Sequence, residues 1–254
     1  MTLEGLSAAD AVLPLVVFLA FVVETAAGFG SAVVTVTLAS LFLPLTFVLA
    51  AFVPVNVLLS TYLVLRYRAS VDRPILLRRL LPMMTVGMVI GMALFHLRGQ
   101  GWLKGAFGAF VVTLAAVELL RMRRPQEAVA PLAPLAATSA LLGAGVIHGI
   151  FACGGPLLVY VAGREITDKA RFRATLSAVW LLLNLALLVN YRIEGTLSAE
   201  TLRTSLLLLP ALVAGILAGE WVHQRLLERT FRLAVFTLLL FAGGALLART
   251  ILVA

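Results

Sequence analysis

Cysteine is nearly missing from this chain: Cys153 stands alone among 254 residues. That excludes an internal disulfide and any cysteine-rich metal site, so Cys153 has to be explained by itself. Charge is scarce as well, at 13% of residues, while 62% are hydrophobic and the mean hydropathy is +1.07. A chain of this length has far more apolar surface than one soluble core hides, which makes it a multi-span membrane protein in contact with the lipid bilayer. Met1-Thr2-Leu3-Glu4-Gly5 offers no basic residue, and the apolar run from Ala11 has no clear cleavage site before Glu24, so no signal segment is expected to be removed. The net charge of +8 does not point to nucleic acid, because the basic residues fall between apolar spans and not in one patch or tail.

The apolar residues form eight blocks, roughly 11–43, 46–65, 80–97, 102–120, 131–163, 174–191, 204–223 and 231–251. Most are near the ~20 residues that a spanning helix needs. The first and fifth are too long for one span, and glycine-bearing stretches, Gly28-Phe29-Gly30-Ser31 and Cys153-Gly154-Gly155-Pro156, break them. Backbone broken in hydrocarbon has amides with neither water nor partner, so such breaks persist where they are buried in protein or line a polar cavity. The connections are too short for a soluble domain.

The chain repeats itself. A shift of 124 residues lays Gly30 on Gly154, Ala50 on Ala174 and Tyr67-Arg68 on Tyr191-Arg192. A shift of 128 lays Pro82, Gly87 and Gly91 on Pro210, Gly215 and Gly219, Lys104 on Arg232 and Arg121 on Arg249. Matches of proline, glycine and charge in register are harder to obtain by chance than leucine on leucine, and they divide the chain into two transmembrane repeats, 1–124 and 125–254.

Positive charge tests the orientation of the copies, since cytoplasmic loops collect Lys and Arg. If every block crossed once, alternate sides would hold 11 and 9 basic residues, which is no asymmetry. If each broken block enters and leaves on the same side, the basic residues within 66–79, 121–124, 164–173 and 225–232 number 15. Opposite them stand Arg98, Lys104, Arg192, Arg203 and Arg249. Each half then makes an odd number of passes and the second copy is inverted. The expected fold is therefore all-α and polytopic, with two inverted-topology repeats, each a broken hairpin plus three transmembrane helices. Both termini fall on the outer side. In secondary transporters of this design, broken helices converge near the bilayer midplane.

A half-helix that starts after each break aims free amides and the positive end of its dipole at the tip, which favours an anion. Ser31 is expected to cap the first half-helix, and Pro156 suits the first turn of the second because its missing amide has no partner there. Gly28, Gly30, Gly154 and Gly155 present no side chain to block a ligand's approach to backbone. Close helix packing is the other use of glycine in membranes, and the expected one for Gly87, Gly91, Gly215 and Gly219.

The stretch Gly149-Ile150-Phe151-Ala152-Cys153-Gly154-Gly155-Pro156-Leu157-Leu158-Val159-Tyr160-Val161, followed by Arg171-Phe172-Arg173-Ala174-Thr175-Leu176, resembles the second-repeat signature of the sulfite exporter TauE/SafE family. The first tip is a degenerate version of that family's richer glycine run, with no proline in 35–38. The resemblance implies transport of sulfite, sulfonates or related organosulfur anions, typically outward across a bacterial inner membrane, with no cofactor, no metal and no catalytic residue. A substrate site at Gly28, Phe29, Gly30, Ser31, Cys153, Gly154, Gly155 and Pro156 follows, with Arg173 from the family's basic pair either drawing an anion inward or anchoring the chain at the cytoplasmic face.

Glu24 and His148 coincide under the 124-residue shift, each just before its tip, and ionisable groups at that depth are functional by default. A proton relay or gate is one reading. A neutral or Arg-paired Glu24 and a His148 bonded to a loop carbonyl are the other. Asn56 and Asn184 either line the path or bond a neighbouring helix. Cys153 either meets the substrate or fills space as a small apolar residue. An intramembrane enzyme built on Cys153 and His148 has no third orienting group. Trp102, Trp221 and Tyr191 read as interfacial anchors. An anion leaving an inside-negative cell gains about 2.3 kcal/mol per 100 mV, so export needs no coupling ion, whereas import would make Glu24 the first candidate to carry a proton. A channel, a carrier of small carboxylates, a structural subunit and a homo-oligomer all remain open at this stage.

Overall fold

The computed structural model describes residues 8–97, 101–122, 132–225 and 228–253, and within them it is helical with no strand. The helices in chain order are α1 (Ala8–Ala27), α2 (Ser31–Ala39), α3 (Leu45–Arg66), α4 (Arg73–Ile75), α5 (Leu81–Leu97), α6 (Gly101–Met122), α7 (Pro134–Phe151), α8 (Gly155–Glu165), α9 (Lys169–Ile193), α10 (Ala199–Leu207), α11 (Leu209–Arg225) and α12 (Glu228–Val253). Helix is the form in which a single segment pairs all its own backbone groups, the requirement lipid imposes. Among the described residues seven helical stretches are long and apolar enough to cross a membrane: Leu45–Arg66, Arg73–Phe95, Leu103–Met122, Pro134–Phe151, Lys169–Ile193, Ala199–Gln224 and Leu233–Thr250. Exposed apolar residues such as Leu65, Leu135, Leu217 and Phe241 cover the outside of the bundle, where a lipid solvent accepts them without cost.

The two over-long apolar blocks are each two helices joined by a short break, α1 with α2 and α7 with α8. The 204–223 block is also interrupted, between α10 and α11 at Leu208, two residues before Pro210. Its counterpart in the first half is a π-helical turn over Leu76–Leu80, two residues before Pro82. Proline lacks an amide and its ring collides with the carbonyl four residues back, so the preceding turn must break or widen.

Helix pairing follows small residues. Gly87 and Gly91 of α5 face Gly145 and Gly149 of α7 so closely that a Cβ on Gly87 would lie 2.1 Å from the Leu142 carbonyl oxygen and one on Gly91 2.2 Å from that of Val146. Gly215 and Gly219 of α11 receive Phe21 and Thr25 of α1 in the same way, at 2.7 and 2.6 Å from their Cβ atoms. Backbones this close exchange dispersion that side chains would prevent. In addition α3 packs on α9 and α6 on α12, leaving α2 and α8 inside. Of the three aromatic residues expected at the interface, Trp221 is half-exposed, Tyr191 is buried in the core, and the side chain of Trp102 lies outside the described residues.

Polar side chains gather at the two ends of the bundle. At one end Lys104 Nζ donates to the carbonyls of Ser40 and Leu43, each at 3.1 Å, and Arg249 donates to that of Leu41. These carbonyls close α2, and cations suit the negative end of a helix. At the other end Arg79 pairs with Glu165 at 3.1 Å, Arg171 with Asp72 at 2.5 Å, and the guanidinium groups of Arg121 and Arg164 sit 4.5 and 3.8 Å from the Tyr160 ring.

Candidate functional site

The first break is made possible by glycine. Gly28 and Gly30 have φ of +83° and +110°, a region that L side chains rarely occupy, and together they turn α1 into α2. Gly28 also lies against Arg173: an added Cβ would stand 3.3 Å from both its Cα and Cγ. The second break carries its left-handed residue at Ala152, with φ +54°, and not at a glycine. Gly154 has an ordinary φ of −68° and is small for another reason, since a Cβ there would meet the Ala144 carbonyl oxygen at 2.4 Å. Gly155 alone at that tip looks across to the other half, its Cβ position 3.8 to 3.9 Å from Phe29, with Trp180 of its own half also at 3.8 Å. Pro156 is in the first turn of α8.

Ser31 does not cap α2. Gly30 precedes the helix and offers no side chain, while Ser31 is the first helical residue and donates its hydroxyl to Glu24. The Glu24 carboxylate also accepts from Asn56 Nδ2 at 2.9 Å and is within hydrogen-bond reach of the Ser31 amide. A carboxylate on α1 therefore does the capping expected of the serine, and among the described residues no arginine pairs with Glu24. The side-chain amide of Asn56 bonds Ser31 Oγ as well, at 2.9 Å. From the other half, Asn184 Nδ2 donates to Asn56 Oδ1 at 2.6 Å. The two asparagines join α3 to α9, as one of the alternatives has it, and both border a cavity.

That cavity is bounded by Glu24, Gly30, Asn56, His148, Cys153, Gly155, Trp180 and Asn184, together with Ala32, Val33 and Ala152. A second void meets it at Gly30 and Val33, but its remaining lining is apolar, with Phe29 and Phe236 among it, and it offers an ion nothing to bind. In the polar cavity Glu24 Oε1, both ring nitrogens of His148 and Asn184 Oδ1 are buried without a well-formed hydrogen bond among the described residues. His148 bonds no loop carbonyl; its ring stacks on Trp180 at 5.7 Å. The His148 ring and Asn184 are within hydrogen-bond reach of each other, but Glu24 Oε1 and a second His148 nitrogen are left over, and buried polar atoms normally find partners, so the cavity is a place where a polar solute or water belongs. Cys153 is buried at the rim.

Arg173 is not aimed at the cavity. It pairs with Glu220 at 2.7 Å, its guanidinium sits 4.9 Å from the Tyr67 ring, and Tyr67 donates to Glu220 at 3.2 Å. The group ties α9, α11 and the end of α3 together behind the first tip. Sequence reasoning passed over Trp180, whose indole nitrogen donates to the Gly28 carbonyl at 3.2 Å and holds that tip from α9. It also passed over Glu220. A tryptophan and an acid inside apolar blocks were the available signals. Among the described residues no group of three or more His, Cys, Asp or Glu is placed to hold a metal ion.

A bundle of membrane-length helices with a polar cavity between two interrupted ones has the build of a multi-pass membrane protein. Over residues 13–246 the chain matches the family described as Sulfite exporter TauE/SafE, and it belongs to that family. The family implies a membrane transporter of sulfur-containing anions such as sulfite, not an enzyme. No curated protein and no solved structure matches the chain.

Proposed function

We propose that the chain moves small sulfur-containing anions, sulfite, sulfonates or related organosulfur anions, outward across the bacterial inner membrane by alternating access around its two facing tips. The observation that carries this reading is the cavity between the breaks, to which both halves contribute polar side chains, among them Glu24, Asn56, His148 and Asn184. No side chain caps the start of α8, so the amides of its first turn are available to an oxyanion together with His148 and the rim of Cys153. The family supplies the sulfur-anion class.

The halves 1–124 and 125–254 act as inverted repeats that rock against each other. Exchanging them leaves the helix pairing unchanged: α1 on α11 becomes α7 on α5, while α3 on α9 and α6 on α12 map onto themselves. The matched pair Arg121 and Arg249 behaves alike, Arg121 reaching Tyr160 of the second half and Arg249 the Leu41 carbonyl of the first. Arg79 with Glu165, Asp72 with Arg171, and Arg121 with Arg164 would lie on opposite sides if every block crossed once; their contacts support two re-entering hairpins. Positive charge then puts the ion-paired end in the cytoplasm and the termini outside.

Efflux from vesicles reconstituted with the pure protein tests this. With a panel of labelled sulfite, thiosulfate, sulfonates and short carboxylates, a sulfur oxyanion should leave by a saturable route that the unlabelled anion competes for. Flux that never saturates would make it a channel, carboxylates outrunning every sulfur anion would reassign the substrate, and no flux at all would leave a structural subunit.

A further inference from the structure

We propose that Glu24 is a resident anion at the start of α2, and that a transported anion occupies the cavity only when Glu24 has taken up a proton. This rests on the anion-site reading above. On the first-half side the protein's own carboxylate engages three donors that would hold an oxyanion: the Ser31 hydroxyl, the Asn56 amide and the Ser31 backbone amide at the positive end of α2. Glu24 is 3% exposed, and its second oxygen, Oε1, is buried, unpartnered and on the wall of the cavity. Asn184 Oδ1, within hydrogen-bond reach of the His148 ring, is another acceptor bordering the same space. Two acceptors, one of them charged, oppose an oxyanion, and like charges at such range suppress each other's ionised form.

One proton reverses this. Added to Oε1 from bulk water, it makes and breaks no other bond in the protein, turns that oxygen into a donor directed at the cavity, and removes the charge that competes for the α2 dipole. Each anion bound thus brings one proton with it, and the uncoupled outward movement expected from charge alone gives way to movement of anion and proton together.

Few other groups around Glu24 titrate. The α2 and α3 partners, Ser31 and Asn56, do not titrate in the ordinary range. From α7 His148 shares the cavity, and Cys153 stands at the tip beyond it. On α9 Arg173 is paired with Glu220 of α11, and His223 of α11 bonds the Ala26 carbonyl at 2.8 Å. The cavity side of α12 is apolar, with Val235, Phe236 and Leu239. His148 is therefore the competing proton acceptor.

The test adds sulfite to the pure full-length protein in weakly buffered detergent and counts protons with an indicator dye, for wild type and Glu24→Gln. Protons that sulfite itself exchanges, and any taken by His148, are common to both and cancel in the difference. Wild type should take up about one proton more per sulfite than Glu24→Gln, and its affinity should fall about tenfold per pH unit relative to the variant where Glu24 is ionised. Equal proton counts and equal pH slopes in two proteins that both bind would overturn the proposal. Saturable binding in neither would overturn the anion site itself. If Glu24→Gln does not fold, infrared difference spectra of wild type decide: sulfite must raise the C=O band of a protonated carboxyl, and its absence sinks the idea.

Discussion

Gly145→Ala should unfold the first half's contact with the second at a cost far beyond that of an ordinary surface change. The new methyl would lie 2.2 Å from the Met84 carbonyl oxygen and 2.9 Å from the Gly87 Cα, distances that no rotamer relieves because both partners are backbone. α5 and α7 must therefore separate along a seam that continues through Gly91 and Gly149, losing the dispersion that holds them. Overpacking in cores costs about 1–3 kcal/mol, and a backbone contact belongs at or above the top of that range. Gly145→Leu should leave no folded protein. The matched control is Gly244→Leu, whose Cβ meets nothing within 4 Å and which should stay within about 0.5 kcal/mol of wild type. Thermal unfolding followed by size exclusion in detergent reads both. An unchanged melting temperature for Gly145→Ala would mean that the α5–α7 seam is wrong.

Arg173→Ala should be the next most damaging change. Arg173 is 6% exposed and its ion pair with Glu220 lies behind the tip that Gly28 forms. Removing one partner of a buried pair strands the other, at a cost of about 3–5 kcal/mol when burial is complete. Glu220 keeps 24% of its side chain exposed, so the lower figure of about 3 kcal/mol applies, a fall of about a hundredfold in the folded-to-unfolded ratio. Glu220→Ala should cost less, because Arg173 retains the Tyr67 ring. The double variant should be milder than the sum of the two, and a double-mutant cycle on unfolding midpoints measures the coupling. Additive effects would show that the pair does not act as one. A transport defect in Arg173→Ala with normal stability would restore a direct role on the anion.

Much of this architecture was legible in the chain because lipid leaves few choices. Length and hydropathy located the spans, and glycine inside two over-long blocks located the breaks at Gly28 to Ser31 and at Cys153 to Pro156, where the helices do end. Gly87, Gly91, Gly215 and Gly219 were readable as packing glycines because their spacing of four keeps them on one helical face. What the chain could not reveal was which glycine served which purpose. Gly154 answers to the Ala144 carbonyl, while the left-handed turn falls on Ala152, and both depend on how α8 folds back over α7. The capping of α2 was assigned to the nearest hydroxyl, Ser31, whereas Glu24 reaches it from seven residues earlier, a contact that exists only once the break brings α1 beside α2. Arg173 looked like an anion ligand for want of its partner, since Glu220 is 47 residues away and only the packing of α9 near α11 brings them together.

The central claim is that the two interrupted segments face each other across one cavity, and a disulfide between them tests it most directly. A Cβ at Gly155 stands 3.9 Å from the Phe29 Cβ, inside the ~3.5–4.5 Å range that a disulfide spans. In a Cys153→Ala background, Phe29→Cys with Gly155→Cys should close on mild oxidation. A protease site inserted at residue 125 then gives two fragments that stay joined until a reductant is added. Fragments that separate after oxidation, from protein that elutes as a single folded species, would contradict the account.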